Sequence, residues 1–132
     1  MQHLSFCFII IERDSFIASD LREGLAEACP RCGCQTFRDL SELIAAEPVL
    51  KNLDQLPVLI TKASLGELRD CGVDQMARRN GWPVAIRMGL DPLSDVDAQG
   101  WLSLAAPFTR EDVAYLVSQL YRRYPQFELR SA

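Results

Sequence analysis

Features that mark many enzyme and binding classes are scarce or missing in this 132-residue sequence. Its single histidine, His3, lies at the amino terminus, so no histidine-based acid–base or nucleophile arrangement is available. No glycine-rich phosphate loop is present, which argues against nucleotide binding. The formal net charge of -4 argues against a nucleic-acid partner, because phosphate binding needs clustered Lys and Arg. The apolar run FCFIII is too short to span a membrane and lacks the flanks of a signal peptide. We therefore expect a cytoplasmic protein without a membrane or nucleic-acid partner.

The five cysteines, an odd number, form no regular disulfide framework, and we expect most of them to be thiols. Cys29, Cys32 and Cys34 form a C-x2-C-x-C pattern that suits zinc or an iron–sulfur cluster, but the possible fourth ligands have no characteristic spacing. A regulated Cys29–Cys32 dithiol is another possibility, although the pair follows a helix rather than preceding one. The third possibility is that these cysteines pack as small apolar residues.

The sequence has the composition of an ordinary globular domain, with 48% hydrophobic and 24% charged residues. Its length fits one domain over residues 1–132, without a repeat or a linker. We expect the polar tail, residues 125–132, to be partly frayed.

Segments with strand and helix patterns alternate along the chain. The predicted strands are SFCFIII, CQTF, PVLIT, PVAI and WLSLAA. Amphipathic helices are predicted after Asp14 or Ser15, over RDLSELIAAE with Pro48 as its stop, over residues 65–80 with a glycine-punctuated break, and after Thr109 as N-cap. Residues 89–100 contain turn formers and are predicted to be a loop. Such alternation predicts an α/β fold in which helices cover both faces of a parallel sheet.

In parallel sheets of this type the working site lies beyond the carboxyl ends of the strands. The residues that follow the predicted strands should therefore meet there. They are Glu12, Arg13 and Asp14; Thr61 and Lys62; Arg87 and Met88; and Ala105, Ala106 and Pro107.

The segments FIIIERDSFIASDL, LPVLITKASLG, WPVAIRMG and LSLAAPFTREDV follow one another as in the receiver domain of two-component response regulators. The chain resembles this family over about residues 5–121. The resemblance implies a flavodoxin-like, doubly wound sheet of five parallel strands in the order 2-1-3-4-5. It also implies a site in which an aspartate accepts a phosphoryl group beside Mg²⁺.

The residues at the positions of that site depart from the family pattern. The acid pair falls on Glu12 and Arg13, and a permanent cation repels Mg²⁺. The phosphoacceptor falls on Thr61 or Lys62, neither of which is a carboxylate. Met88 replaces a small hydroxyl residue, and Ala106 replaces a lysine. Asp14 completes this degenerate phosphorylation pocket. Only twelve residues separate Met88 from Trp101, so the helix between the fourth and fifth strands should be short or missing.

The resemblance therefore implies a pseudo-receiver that is not an enzyme, uses no cofactor and acts in bacterial signal transduction. It implies a protein partner, with a homodimer as the first expectation, and the candidate interface residues are Trp101, Phe108, Tyr115 and Tyr121. These aromatic residues have a second reading, in which they close the core beside the short helix.

Two alternative functions stay open, a small-ligand or metal sensor that uses Cys29, Cys32 and Cys34, and an accessory subunit of an enzyme. At the degenerate pocket, Arg13 or Lys62 could pair with Glu12 or Asp14 in place of the metal. The cluster could also be a surface group of ion pairs that contributes little.

Overall fold

The computed structural model describes residues 5–127 and contains one sheet of five parallel strands in the order β2-β1-β3-β4-β5. The strands are β1 (Phe6–Ile11), β2 (Gly33–Phe37), β3 (Leu56–Thr61), β4 (Val84–Arg87) and β5 (Leu102–Leu104). Helices cover both sides of the sheet, as in flavodoxin-like proteins. The predicted fold class and strand order are confirmed.

The two central strands explain why the apolar runs are continuous. Every residue of β1 and β3 is buried, and the strands pair in register from Phe6 opposite Leu56 to Ile11 opposite Thr61. A parallel strand that is covered on both faces needs apolar side chains at every position, not at alternate positions.

Seven α-helices and one 3-10 helix connect and cover the strands in the described part of the chain. They are α1 (Ser15–Ala28), α2 (Leu40–Ala45), α3 (Glu47–Leu50), α4 (Leu65–Cys71), α5 (Val73–Asn80), α6 (Leu93–Ala98), α7 (Arg110–Arg123) and the 3-10 helix Pro125–Phe127. None of these helices has the length and apolar character needed to cross a membrane.

Local sequence signals predicted the positions of most of these helices. Asp14 caps α1, and Thr109 with Asp112 forms a capping box at the start of α7. The predicted break within residues 65–80 is Gly72, which separates α4 from α5 and has a left-handed backbone with φ of 86°.

Two helix predictions were wrong. Pro48 does not stop a helix; it lies in the first turn of α3, where its missing N–H has no intrahelical partner to lose. The predicted loop over residues 89–100 contains α6, which is short, as the spacing required. Because only Val96 of this helix is buried, its sequence has little helical periodicity.

The tail over residues 125–132, which was expected to be partly frayed, is structured in its first part. Pro125–Phe127 forms a 3-10 helix that buries Phe127 against Phe6, with their ring centroids 5.0 Å apart. Residues 128–132, like His3, lie outside the described residues.

Candidate functional site

A cavity of about 660 Å³ lies at the carboxyl ends of the strands. Six of the seven residues of the degenerate pocket line it, and Asp14 does not. Its lining residues are Ile11, Glu12, Arg13, Arg38, Asp39, Leu40, Ser41, Thr61, Lys62, Ala63, Glu67, Arg87, Met88, Gly89, Leu90 and Ala106.

The Glu12 carboxylate is the buried charge of this site, with a side chain that is only 1% exposed. Its Oε2 accepts a hydrogen bond of 2.9 Å from the Asp14 backbone N–H and lies 3.6 Å from Lys62 Nζ. Its Oε1 accepts a short hydrogen bond from a terminal nitrogen of Arg87. Two cations and one backbone donor therefore surround the carboxylate.

These contacts determine the protonation of Glu12. Burial raises the pKa of its carboxyl group, but the Asp14 N–H and the charges of Lys62 and Arg87 outweigh this effect. The pKa of Glu12 therefore lies below its ordinary value, and the group is ionised at neutral pH.

Arg13 and Asp14 have other partners. Arg13 is exposed, and its guanidinium lies 3.5 Å from Asp39. The Asp14 carboxylate caps α1 by accepting from the backbone N–H groups of Phe16 and Ile17. Of the pairings considered from the sequence, only Lys62 with Glu12 is present.

The remaining pocket residues offer no carboxylate. Thr61 is buried, and its hydroxyl oxygen accepts from the Ala63 backbone N–H at 3.0 Å. Met88 is half-buried against the core, and Ala106 is exposed at the cavity. The only acids among the lining residues are Glu12, Asp39 and Glu67.

Sequence reasoning placed Arg87 at this edge of the sheet but did not pair it with Glu12. Its side chain is 10% exposed and lies beneath the Phe108 ring, with 5.9 Å between the guanidinium carbon and the ring centroid. Its Nε is buried and has no hydrogen-bond partner within residues 5–127. An arginine at the end of an otherwise apolar strand, VAIR, was the available signal.

Arg38 and Asp39 were missed as members of the site. They follow β2, at the edge of the sheet, and line the cavity. Their position after a strand was the same signal that selected the other residues.

The cysteines do not form the considered metal cluster. Cys29 and Cys32 are joined by a disulfide, with their Cα atoms 5.4 Å apart, while the other three of the five cysteines are thiols, as expected for most of them. Cys7, Cys34 and Cys71 are free. Burial raises the pKa of Cys7 to about 11, and nearby Cys34 adds to that increase. Within residues 5–127, no three His, Cys, Asp or Glu side chains are grouped to hold a metal.

The four candidate interface residues differ in exposure. Trp101 is buried, and Phe108 and Tyr121 pack partly buried against the core. Tyr115 is 57% exposed on α7. It is therefore the candidate whose ring is exposed on the surface.

The comparisons with known proteins support the fold. No protein-family model matches the chain, and no curated protein sequence matches it significantly. A crystal structure from Burkholderia pseudomallei, described as a "putative pilus assembly-related protein", is similar with a TM-score of 0.67 and 13% sequence identity. The match covers 99% of this chain and 98% of that chain. At this identity the similarity shows a shared fold.

Proposed function

We propose that this chain is a receiver-like interaction domain that works without aspartyl phosphorylation or Mg²⁺ and has no enzymatic activity. The observation that carries the proposal is the state of Glu12. Its carboxylate is the one buried acid of the cavity, and Lys62 and Arg87 already neutralise it. A divalent cation would have to displace two positive side chains from a single carboxylate, whereas Mg²⁺ sites use one or two free carboxylates.

The phosphoryl acceptor is missing at the same edge of the sheet. Lys62 follows β3 and is paired with Glu12, and the hydroxyl of Thr61 is buried and hydrogen-bonded to backbone. Neither group can form the acyl phosphate of a receiver. We therefore propose that the fold is retained for binding another protein.

The proposed partner is a protein, either a second copy of this chain or a component of a bacterial assembly or signalling system. The description of the similar structure as pilus assembly-related favours a pilus system for this chain as well. The exposed ring of Tyr115 on α7 is the proposed contact point, because aromatic residues are enriched in protein interfaces.

We also place the domain in the cytoplasm. Three of its five cysteines are free. Disulfides that do occur in reducing compartments are usually transient, and we propose that the Cys29–Cys32 disulfide forms reversibly.

Acetyl phosphate tests the absence of phosphorylation. The purified chain is incubated with acetyl phosphate and MgCl₂, with a functional receiver domain in a parallel reaction, and both are examined by intact-mass spectrometry. We expect a phosphoryl adduct on the functional receiver alone. An acid-stable or acid-labile adduct on this chain would overturn the proposal.

Sedimentation velocity tests self-association through α7. We expect a dimer that weakens in Tyr115→Glu and persists in Val49→Glu, which adds the same charge at another exposed apolar residue. A monomer at all concentrations would exclude the homodimer and leave a different protein as the partner. Equal weakening by both substitutions would remove Tyr115 as the contact.

A further inference from the structure

A cation lies at the end of each of four neighbouring strands or within two residues after it. In sheet order, Arg38 follows β2, Arg13 follows β1, Lys62 follows β3, and Arg87 is the last residue of β4. All four line the cavity. With adjacent strands ~4.8 Å apart, the row extends along roughly 14 Å of the sheet edge. The strand order creates this row, because the four residues come from distant parts of the sequence.

The cavity has a positive charge in a chain whose formal net charge is -4. Its three acids are already bound to other groups. Glu12 binds Lys62 and Arg87, while Asp39 and Glu67 accept hydrogen bonds as the caps of α2 and α4. The cations outnumber these acids, so the local field favours an anion.

Donors are available for such an anion. The exposed ion pairs are long, at 3.5 Å for Arg13 with Asp39 and 3.9 Å for Arg38 with Glu42. Exposed pairs of this kind contribute little, so exchanging them for a ligand costs little.

The walls of the cavity are apolar as well as charged. Leu40, Ala63, Met88 and Leu90 line it beside the cations. Its volume of about 660 Å³ lies within the range of small-molecule sites, roughly 300–1,000 Å³. The volume and the lining of the cavity therefore suit a small organic molecule that has an apolar part and a charged group.

We propose that this cavity reversibly binds a small phosphorylated organic molecule, with its phosphoryl group on the row of cations and its body against the apolar walls. A phosphoryl group carries up to two negative charges and three acceptor oxygens, so it can engage several cations at once, which a carboxylate does less fully. The site thus carries cations that attract an anion where an acid pair would attract Mg²⁺. This inference goes beyond the proposed interaction function, which requires no ligand.

Titrations followed by two-dimensional ¹⁵N–¹H NMR test the proposal with phenyl phosphate, inorganic phosphate and acetate at constant ionic strength. We expect saturable shifts at the backbone amides of Ala63, Met88 and Gly89. The affinity should decrease from phenyl phosphate to inorganic phosphate to acetate. MgCl₂ should produce no saturable shift at these amides.

Two substitutions with matched controls locate the site. Lys62→Ala and Arg38→Ala should each weaken phenyl phosphate binding by roughly ten- to a hundredfold, the factor for losing one hydrogen bond between charged groups. Lys51→Ala and Arg31→Ala remove the same charges from exposed positions outside the cavity and should have no effect.

Three results would overturn the proposal. They are the absence of saturable shifts with either phosphate, equal affinities for inorganic phosphate and acetate, and equal weakening by the cavity substitutions and their controls. Because this binding is reversible, it is distinguishable from the covalent adduct that would overturn the proposed function, and either proposal can fail alone.

Discussion

Glu12 and Arg87 lie 75 residues apart in the sequence and form an ion pair in which both side chains are at least nine-tenths buried. A buried pair of this kind is not strongly stabilising when compared with apolar residues, but removing one partner leaves an unpaired buried charge. At the scale of single residues, the charge of each side chain is therefore compensated by its partner more than by solvent.

Replacing Glu12 by Ala should lower the free energy of unfolding by about 3 kcal/mol, because the Arg87 charge then stays buried without its carboxylate. Urea denaturation followed by circular dichroism measures the change. The double variant Glu12→Ala, Arg87→Met should recover part of the loss. A single variant within about 0.5 kcal/mol of the wild type, the range of ordinary surface changes, would contradict this coupling.

The lowered pKa of Glu12 predicts a pH dependence of stability. Since the folded-state pKa lies below the ordinary value of 4.5, the ionised carboxylate stabilises the fold above that value. The contribution is lost as the pH falls through the lower, folded-state pKa. The stability difference between the wild type and Glu12→Gln should be constant near neutral pH and shrink below about pH 4.5. A difference that is independent of pH down to acid unfolding would show that Glu12 does not titrate in this way.

At the scale of elements, the helices α4 and α5 show how one residue divides a helical region. Gly72 has a left-handed backbone, and an added Cβ there would meet no atom within 4 Å. Any free-energy cost of a side chain at this position therefore comes from the strained backbone conformation. At Gly66, within α4, an added Cβ would make only ordinary van der Waals contacts at 3.8 Å.

The substitutions Gly72→Ala and Gly66→Ala should have opposite effects on thermal stability. Gly72→Ala should destabilise by about 1 kcal/mol, because alanine is strained at φ of 86°. Gly66→Ala should stabilise by up to about 0.5 kcal/mol through helix propensity. Differential scanning calorimetry of both variants checks the signs. Equal shifts in the same direction would contradict the assignment of the break to Gly72.

Most element positions were predictable because their signals are local. Apolar runs marked the buried strands, and Asp14 and Thr109 marked helix starts. Pro48 and α6 were mispredicted for a different reason. Proline is compatible with both a helix end and a first helical turn, and a helix that buries only Val96 has little periodicity.

At the scale of the whole molecule, the two ends of the sheet have different surroundings. The cavity lies at the carboxyl end, whereas the amino end of β1 is covered by aromatic rings. Phe6 contacts the rings of Tyr121, Tyr124 and Phe127 at centroid distances of 5.0–5.8 Å. The end of the described chain thus completes the core.

Phe127→Ala should lower the free energy of unfolding by about 3 kcal/mol, the lower end for removing a buried phenylalanine ring. Phe16→Ala is the matched control. Phe16 is 85% exposed, so its loss should change stability by less than about 0.5 kcal/mol. Urea denaturation of both variants measures these changes in the free energy of unfolding. Similar effects for both variants would indicate that the 3-10 helix does not contribute to the core in solution.

The sequence by itself determined the α/β alternation, the buried strands, the main helix caps and the set of residues at the carboxyl edge. These follow from local periodicity and from the rule that parallel strands end on one side of the sheet. Only the tertiary structure decided the partners within that set. It paired Arg87 and Lys62 with Glu12, and it paired Arg13 with Asp39. Pairing depends on strand order and side-chain reach across neighbouring strands, and neither is encoded in the spacing of residues along the chain.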